Sequence, residues 1–439
     1  VFSIMLIAPS WGGMLNGIMT LRGAWDRVRE DPVLKFLVVA VTAYGMATLE
    51  GPLLSLKNVN AIAHFTDWIV AHVHVGALGW NGFLIFGMMY WLVPRMWRTT
   101  LYSTRLANAH FWIGTLGIIF YALPMYISGV VQSLMWKEFS ADGFLRYQNF
   151  LETTAQVLPM HMLRAAGGGL YLIGVFIMVY NLIKTAKSGS FESDEAVEVA
   201  PMVKSASTGG FHHVLESKPV IFTALALVAI LIGGIIELVP TFLIKTNIPT
   251  IASVKPYTPL ELHGRDIYIR EGCVGCHSQM IRPFRSEVQR YDPVNGEYSK
   301  AGEYVYDHPF LWGSKRTGPD LHRVGGKYAD SWHFRHMLAP AEVSNGSIMP
   351  AYPWLYEQSI DKSSTAAKIG ALRTIGVPYE DGYEDKAVSD LDKQSAEITG
   401  RLQKEGYEIS SDAEIVALIA YLQRLGKDIK VERNLQSKN

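Results

Sequence analysis

The sequence predicts an all-α protein, namely a polytopic bundle of about five transmembrane helices followed by one anchor helix that carries a water-soluble domain. Of the 439 residues, 49% are hydrophobic and only 18% are charged. The charged residues are so unevenly placed that the first 245 residues suit lipid and the remainder suits water. Apolar runs of bilayer-spanning length, about 20 residues, recur in the first part, and no strong alternation of polar and apolar residues indicates strands.

Six apolar runs are candidate transmembrane spans. They are Val1–Leu21, Val33–Leu56, Trp68–Val93, Ala107–Leu134, Thr154–Ile183 and Pro219–Ile244. Because Lys and Arg are retained on the cytoplasmic side of a membrane, the basic residues of the first and third loops, and those after the fifth span, place these segments inside. The second and fourth loops then lie outside, and the sixth span delivers everything after Lys245 to the periplasmic face.

These patterns predict four parts of the chain, which are a transmembrane part at 1–184, a flexible linker at 185–217, an anchor helix at 218–245 and a soluble domain at 246–439. Apolar residues at helical spacing predict a late amphipathic helix at Asp412–Leu425. The polar segment Leu355–Glu408 is interpreted as an insertion without assigned chemistry. The chain enters an apolar run at Val1 without a Met or a signal peptide, so we interpret it as a fragment that lacks its N-terminal part.

Charge and cysteine content exclude two classes of protein. The net charge is zero, and no basic stripe is present that could neutralise a run of phosphates, so nucleic acid is excluded as a partner. The chain has only two cysteines. Because they lie three positions apart, they cannot form the framework of a disulfide-stapled domain, and their role must be local.

Cys273, Cys276 and His277 form the pattern C-x-x-C-H, which is typical of covalent attachment of a c-type haem. Both thiols can reach the vinyl groups at one edge of a porphyrin, and the adjacent imidazole is then an axial ligand of the iron. The alternatives are a chance match, a redox dithiol and half of a zinc site. Zinc would need further cysteine ligands that the chain does not have, and a redox dithiol would need βαβ surroundings.

A low-spin electron carrier needs a sixth iron ligand, and Met is the usual one. Met280 is too close to the haem-binding motif to reach the opposite face of the haem, and Met337 lies in a predicted helix, Ser331–Leu338. Met349 precedes Pro350 in an irregular stretch that suits a ligand loop. We therefore predict Met349 as the ligand; a Met that only packs in the core is the alternative.

His72 and His74 lie in the third apolar run, where two histidines are costly unless they have partners or bind a metal. At about 100° per residue, positions two apart in a helix point in roughly opposite directions. The two imidazoles therefore cannot share one metal ion, but each could bind a different haem. The alternative is a pair of hydrogen-bonded core histidines.

Glu50 is predicted to lie at the same depth in the membrane as His72, and an intramembrane acid is a functional candidate. It could also cap a helix break at the Gly51-Pro52 step. Other positions are weaker candidates. His64 and Asp67 lie at the water boundary, where they could bind haem propionates or be solvated, while His110, His161 and the pair His212-His213 are left unassigned.

Several motifs resemble one family of membrane enzymes, the cbb3-type (C-type haem-copper) cytochrome c oxidases. The segments Gly45–Pro52, Thr66–Trp68 and His72–His74 resemble the C-terminal part of the catalytic subunit I. From about Phe211 onward, the resemblance is to the membrane-anchored monohaem cytochrome c subunit II. It rests on Gly264–Tyr268 through Pro283-Phe284, Tyr306–Gly313, Arg316–Leu321 and Met349–Trp354.

The resemblance implies a class I-like cytochrome c domain on a terminal oxidase of the bacterial inner membrane. His72 would be the proximal ligand of a high-spin haem b, and His74 an axial ligand of a low-spin haem b, with Glu50 beside the high-spin haem. Electrons would pass from a cytochrome c donor through the haem at Cys273 to the b haems, where oxygen becomes water and protons are translocated. A dihaem cytochrome c subunit, a small membrane subunit and a calcium ion between haem propionates belong to the same expectation.

The sequence departs from this family in two respects. The family's copper ligands, its cross-linked Tyr and the second ligand of the low-spin haem belong to helices that precede Val1. The two subunits are also joined here by a linker, whereas they are usually separate chains. Two rival functions stay open, which are a nitric oxide reductase of the same superfamily and a membrane-tethered electron carrier without catalysis.

Overall fold

The protein was analysed as a computed structural model that describes residues 2–191, 210–244, 249–294 and 296–430. Regular secondary structure in this described part is helical, and β-type pairing is confined to three isolated bridges. The predicted all-α class is therefore confirmed. Five helices are long and apolar enough to cross a membrane, which confirms a polytopic, multi-pass membrane protein.

The N-terminal part forms a helical bundle. Its elements are α1 (Phe2–Met5), α2 (Ile7–Met19), α3 (Arg27–Glu30), α4 (Pro32–Ser55), α5 (Lys57–Ala63), α6 (Asp67–His74), a π-helical segment (Val75–Gly82), α7 (Phe83–Met96), α8 (Thr104–Lys137) and α9 (Phe150–Lys187). Over the predicted span Val1–Leu21, the described residues form α1 and α2, which are separated by Leu6 alone, and Leu6 also has α-helical backbone angles. The span itself stays a prediction, and Val1 lies outside the described residues.

The long helices begin at residues whose side chains satisfy free backbone N–H groups. Asp31 accepts a hydrogen bond from the N–H of Val33 at the start of α4. At the start of α9, Asn149 accepts from Leu151, and Glu152 accepts from the backbone of Asn149 in a capping box. Such caps stabilise a helix by about 1 kcal/mol each, and they fix the residue at which each span begins.

The helices α8 and α9 pack backbone against backbone. A Cβ added at Gly117 would lie 2.7 Å from the backbone nitrogen of Tyr171, and one added at Gly167 would lie 2.6 Å from the backbone of Phe120. Small residues of this kind let transmembrane helices approach closely. This pair forms the rigid wall against which α6 lies.

One span, Asp67–Met96, contains a π-helical segment at Val75–Gly82, directly after His74. The carbonyl of Leu78 in this segment accepts a hydrogen bond of 3.0 Å from the hydroxyl of Tyr171 on α9. Gly82 lies beneath that hydroxyl, and a Cβ there would collide with it. Tyr171 thus lies where the backbone hydrogen bonds of the span change from the α-helical to the wider π-helical pattern. Segments of this kind are frequent at functional sites.

The linker and anchor follow the bundle. Residues 192–209 of the predicted linker lie outside the described residues, and after them come α10 (Phe211–Glu216) and α11 (Pro219–Leu243). Almost all the described side chains of α11 are exposed, and none of its most apolar stretch is buried against the rest of the described chain. That stretch has a mean hydropathy of 2.6, which suits a helix surrounded by lipid.

The C-terminal domain is a compact helical unit around one core. Its helices are α12 (Pro259–Arg270), α13 (Arg285–Tyr291), α14 (Asp330–Leu338), α15 (Pro340–Val343), α16 (Trp354–Glu357), α17 (Thr365–Thr374), α18 (Tyr383–Lys404) and α19 (Glu414–Arg424), with 3-10 turns at Cys273–Gly275, Ala301–Tyr304 and Lys362–Ser364. The amphipathic helix predicted over Asp412–Leu425 and the helix predicted over Ser331–Leu338 are both confirmed.

The segment Leu355–Glu408, to which no structure was assigned from the sequence, is largely helical. Leu391, Ile398 and Leu402 of α18 belong to the main core of the domain, and Ile369 of α17 packs with Leu262 of α12. This helical pair is therefore part of the packed domain and supports α12, the helix that ends just before the Cys273–His277 motif.

A haem cleft and an intramembrane histidine pair as the candidate functional site

A cavity of about 370 Å³ opens beside the Cys273–His277 motif. Its walls come mainly from the motif, from the loop that contains Thr317 and from α14, and residues at the start of α9 close one side. Both Cys273 and Cys276 are free thiols that line it. A cavity of this volume with two thiols in its wall suits a ligand that is held from the motif side.

The imidazole of His277 is held in one orientation. Its Nδ1 donates a hydrogen bond of 2.7 Å to the carbonyl of Pro319, which leaves Nε2 as the free ligand atom. The N–H groups of Thr317 and Gly318 donate to the carbonyl of Cys276, at 2.9 and 3.0 Å. Burial lowers the pKa of His277, which favours the neutral ring that a metal-binding histidine needs.

The opposite wall of the cavity carries both remaining thioether candidates. Met349 lies in an irregular stretch and is partly buried, and Met337 lies on α14 and is 8% exposed. Met280 lies elsewhere, packed against a cluster of Phe65, Trp136 and Phe150. Both Met337 and Met349 line the cavity, and the irregular backbone around Met349 gives its side chain more freedom to reach an iron atom.

His333 and His336 also line the cavity, and sequence reasoning missed them. Nε2 of His333 and Nδ1 of His336 are buried and have no hydrogen-bond partner among the described residues. Buried polar atoms without a partner are rare, and here they face the space that a haem would fill. Together with the two thiols and the fixed His277, they fit a covalently attached haem. Their spacing with Met337, at i, i+3 and i+4 of one helix, could have indicated a shared face.

In the bundle, His72 lies against Glu50. Nδ1 of His72 and Oε2 of Glu50 are 3.2 Å apart, and the carboxylate also accepts hydrogen bonds from the indole N–H of Trp68 and, at 2.6 Å, from the hydroxyl of Tyr126. A carboxylate that accepts from Nδ1–H leaves Nε2 of His72 free to bind a metal. The helix α4 continues past Glu50 to Ser55, with Pro52 inside it, so the predicted alternative of a break at Gly51-Pro52 is wrong.

His74 faces different neighbours. Its Nδ1 donates a 2.7 Å hydrogen bond to the carbonyl of Val70, and the hydroxyl of Tyr121 on α8 lies 3.0 Å from its Nε2. The partner of His72 is on α4, whereas the partner of His74 is on α8. The two imidazoles therefore lie on different sides of α6, and both have the Nδ1-bonded form that is typical of metal-binding histidines.

Among the other titratable groups singled out from the sequence, Asp67, His161, His64 and His110 have protein partners. Asp67 is 2% exposed and accepts hydrogen bonds from Ser128, Gln132 and His161, so the prediction that it could be solvated is wrong. The ring of His64 stacks on Phe65 at 4.1 Å.

His110 is fully buried, and its Nδ1 lies 3.0 Å from the hydroxyl of Tyr90. His213 is exposed, and the side chain of His212 lies outside the described residues.

Two family models match the chain in succession. Residues 1–170 match the cytochrome c and quinol oxidase polypeptide I family, and residues 212–429 match the mono-haem cytochrome c oxidase subunit family, FixO. Residues 171–211 separate the two matches, which together contain the histidine pair and the Cys273–His277 motif.

Among curated proteins, the chain is 55% identical over 201 residues to a bacteroid cytochrome c oxidase subunit 1 homologue of Bradyrhizobium diazoefficiens, covering 46% of the chain and 36% of that protein. It is 44% identical over 202 residues to the cbb3-type subunit CcoN1 of Stutzerimonas stutzeri, covering 46% and 42%. A nitric oxide reductase subunit of Stutzerimonas stutzeri is 27% identical over 187 residues, covering 41% and 39%. The chain thus spans about two fifths of the length of these relatives.

Proposed function

We propose that this chain belongs to the cbb3-type haem-copper oxidases and that it serves a terminal respiratory oxidase. Electrons would enter from a cytochrome c at the haem attached to Cys273 and Cys276, pass to the low-spin haem b at His74 and then to the high-spin haem b at His72. There oxygen is reduced to water, coupled to proton translocation. The single observation that carries the proposal is the pair of Nδ1-bonded histidines on opposite sides of α6.

The haem groups, when bound, supply the one-electron redox couples. The residues of the chain hold and tune them. Pro319 fixes the ring of His277 through a 2.7 Å hydrogen bond, and Met349 is the sixth ligand that we propose. The free nitrogen atoms of His333 and His336 are suited to bind haem propionates.

The histidine pair of the bundle is tuned by its partners. A carboxylate bonded to Nδ1 increases the basicity of an imidazole ligand, so Glu50 would make His72 a stronger donor to iron than His74, whose Nδ1 donates to a neutral carbonyl. The hydroxyl of Tyr121 lies where the ligand bond of His74 would form, and it would turn away when a haem binds. These differences suit two haems with different roles.

The proposal includes a location in the bacterial inner membrane and partner proteins. The C-terminal domain lies against the ends of the helices at which Phe65 and Gly143 are found, the end predicted to face the periplasm of the bacterial inner membrane. This arrangement supports electron entry from a cytochrome c on that side, with a dihaem subunit and a small membrane subunit as further components. Copper is part of the proposed active site, and calcium belongs to the family expectation, but no residue described here is assigned to either.

The rival activity within the superfamily is nitric oxide reduction. Identity is 44% to the cbb3-type subunit and 27% to the reductase subunit, and the mono-haem match is to an oxidase subunit. Both observations favour the oxidase. Membranes with the assembled complex should consume oxygen with reduced cytochrome c as donor and contain copper; consumption of nitric oxide alone, with non-haem iron in place of copper, would establish the rival.

The experiment that tests the proposal replaces His72 by Ala in the assembled oxidase. We expect oxygen consumption to be lost and the high-spin haem b spectrum to disappear, while the c-type haem is retained. His213→Ala is the matched control, because His213 is exposed, and it should leave both unchanged. If His72→Ala kept oxygen consumption and the high-spin spectrum, the ligand assignment would be wrong.

A further inference from the structure

Phe65, at the corner between α5 and α6, joins the bundle to the C-terminal domain. Its backbone is in the left-handed region, with φ of 69°, which is uncommon for a residue other than Gly and for a bulky side chain is a genuine outlier. Its side chain is fully buried. A strained residue that is fully buried is held by its surroundings, and strain of this kind clusters at functional sites.

The ring of Phe65 is inserted between two arginines of the C-terminal domain. The guanidinium carbon of Arg316 lies 4.2 Å from the ring centre, and that of Arg282 lies 5.2 Å from it. The carbonyl of Phe65 accepts a hydrogen bond of 2.8 Å from the N–H of Arg316. One residue of the bundle thus makes a backbone bond and two cation–π contacts with the domain, at a distance where such contacts are attractive.

On the domain side, Arg316 is fixed and lies next to the haem-binding motif. Its guanidinium donates to the hydroxyl of Ser278 at 2.7 Å and to the carbonyl of Met280 at 2.8 Å. The next residue, Thr317, donates its N–H to the carbonyl of Cys276. Only one peptide unit therefore separates the hydrogen bond to the bundle from the hydrogen bond to a haem-attaching cysteine.

On the bundle side, Phe65 precedes the helix that carries the histidine pair. The hydroxyl of Thr66 accepts a hydrogen bond from the N–H of Trp68 and caps α6. Asp67, the first residue of α6, is tied to α8 and α9 by buried hydrogen bonds. A rigid backbone therefore runs from Phe65 to His72 and His74.

We propose that Phe65 is a positioning residue for electron transfer, and that its contact with Arg316 sets the separation between the c-type haem and the helix of His72 and His74. The inference rests on the proposed function. In the step concerned, one electron leaves the reduced iron at His277 and reaches an oxidised haem iron of the bundle, with no bond made or broken. Arg282 also donates to the carbonyls of Asn60 and Ala61 on α5, at 3.3 and 3.4 Å. Arg285 and Arg290 instead donate to the carbonyls of Gly143 and Gln148, in the loop between α8 and α9.

The test uses the assembled oxidase with Phe65→Ala, and with Arg285→Ala as the matched control from the same interface. A photoexcited ruthenium complex reduces the c-type haem, and absorbance then follows reduction of haem b. Since the rate of electron tunnelling falls steeply with the distance between two redox centres, we expect Phe65→Ala to slow the transfer severalfold. The equilibrium potentials of the haems should stay unchanged, and Arg285→Ala should keep the wild-type rate.

A readout that needs no haem b is hydrogen exchange at the amide of Arg316, measured by mass spectrometry. We expect faster exchange in Phe65→Ala and no change in Arg285→Ala. Should Phe65→Ala fail to assemble, Phe65→Leu, which keeps the buried volume but removes the cation–π contacts, is judged by the same criteria. A wild-type transfer rate or an equal loss in the control would overturn the proposal. If the wild type bound no haem b, the proposed function would fail, while exchange at Arg316 would still test the contact.

Discussion

Gly318→Ala should displace the axial ligand of the c-type haem. A Cβ at position 318 would lie 2.8 Å from both ring nitrogens of His277 and still closer to Cε1, whereas ordinary contacts begin at 3.4 Å. The ring or the backbone must therefore move by more than about half an ångström. The backbone cannot easily withdraw, because Gly318 and Thr317 both donate to the carbonyl of Cys276. The ring must then tilt, which breaks the 2.7 Å bond to Pro319.

The magnitude follows from these two effects. Overpacking costs about 1–3 kcal/mol, and loss of the hydrogen bond at Nδ1 adds about 0.5–1.5 kcal/mol. We expect the purified protein to keep its covalent haem on a denaturing gel, but to lose the low-spin spectrum of the reduced state in part or completely.

Gly275→Ala is the control for this prediction. Gly275 lies within the same motif, and no atom is within 4 Å of an added Cβ there. This variant should keep the wild-type spectrum. A low-spin spectrum in Gly318→Ala as strong as that in Gly275→Ala would refute the reasoning.

Three further predictions concern other parts of the site. Replacing Cys273 and Cys276 by Ala should abolish haem staining on a denaturing gel, and a retained stain would contradict covalent attachment. Glu50→Gln replaces a charged hydrogen-bond acceptor by a neutral one, a loss of roughly 1 kcal/mol, so redox titration should show a potential of the His72 haem raised by about 50 mV; a lowered potential would contradict this. Burial, together with Arg282 and Arg316, lowers the pKa of His64 from 6.5 to about 4. The stabilisation that buried, neutral His64 gives to the docked domain is therefore complete above pH 6.5 and is lost as the pH falls through 4. His64→Asn should make the unfolding temperature less dependent on pH in this range, and an unchanged slope would count against it.

Local patterns predicted much of the fold. Helical periodicity predicted α19 and α14, and the length of the apolar runs predicted four of the long helices in the bundle. Both features depend on residues that are close together in sequence. Reliance on local patterns also explains why the helix α18 was not predicted from the sequence. Its buried positions, from Ala387 through Leu391 and Ile398 to Leu402, follow helical spacing, but polar residues between them hide the pattern in a composition count.

The candidate site was predictable where a short spacing fixes geometry. The two-faced arrangement of His72 and His74 follows from helix geometry alone, and the structure brings them against partners on α4 and α8. The sequence predicted only that Glu50 and His72 lie at a similar depth in the membrane. It did not predict that their side chains are in contact. The position of Phe65 could not be predicted, because its strained backbone is imposed by contacts with Arg282 and Arg316, more than 200 residues away in the chain.

The π-helical segment at Val75–Gly82 makes this span tolerant of a change in length in a way that an ordinary helix is not. Its wider turns hold roughly one residue more than an α-helix would place between the same two ends. Deleting one residue there would let the backbone close into an α-helix, and the half that contains Tyr90 would keep its orientation relative to the half that contains His74. The same deletion in an α-helix would rotate the two halves by about 100°. Tyr90 would then keep His110, whereas Tyr171 would lose its carbonyl partner on Leu78. The segment therefore separates two requirements, because the two ends of the span can keep their contacts while the contact at Tyr171 is lost.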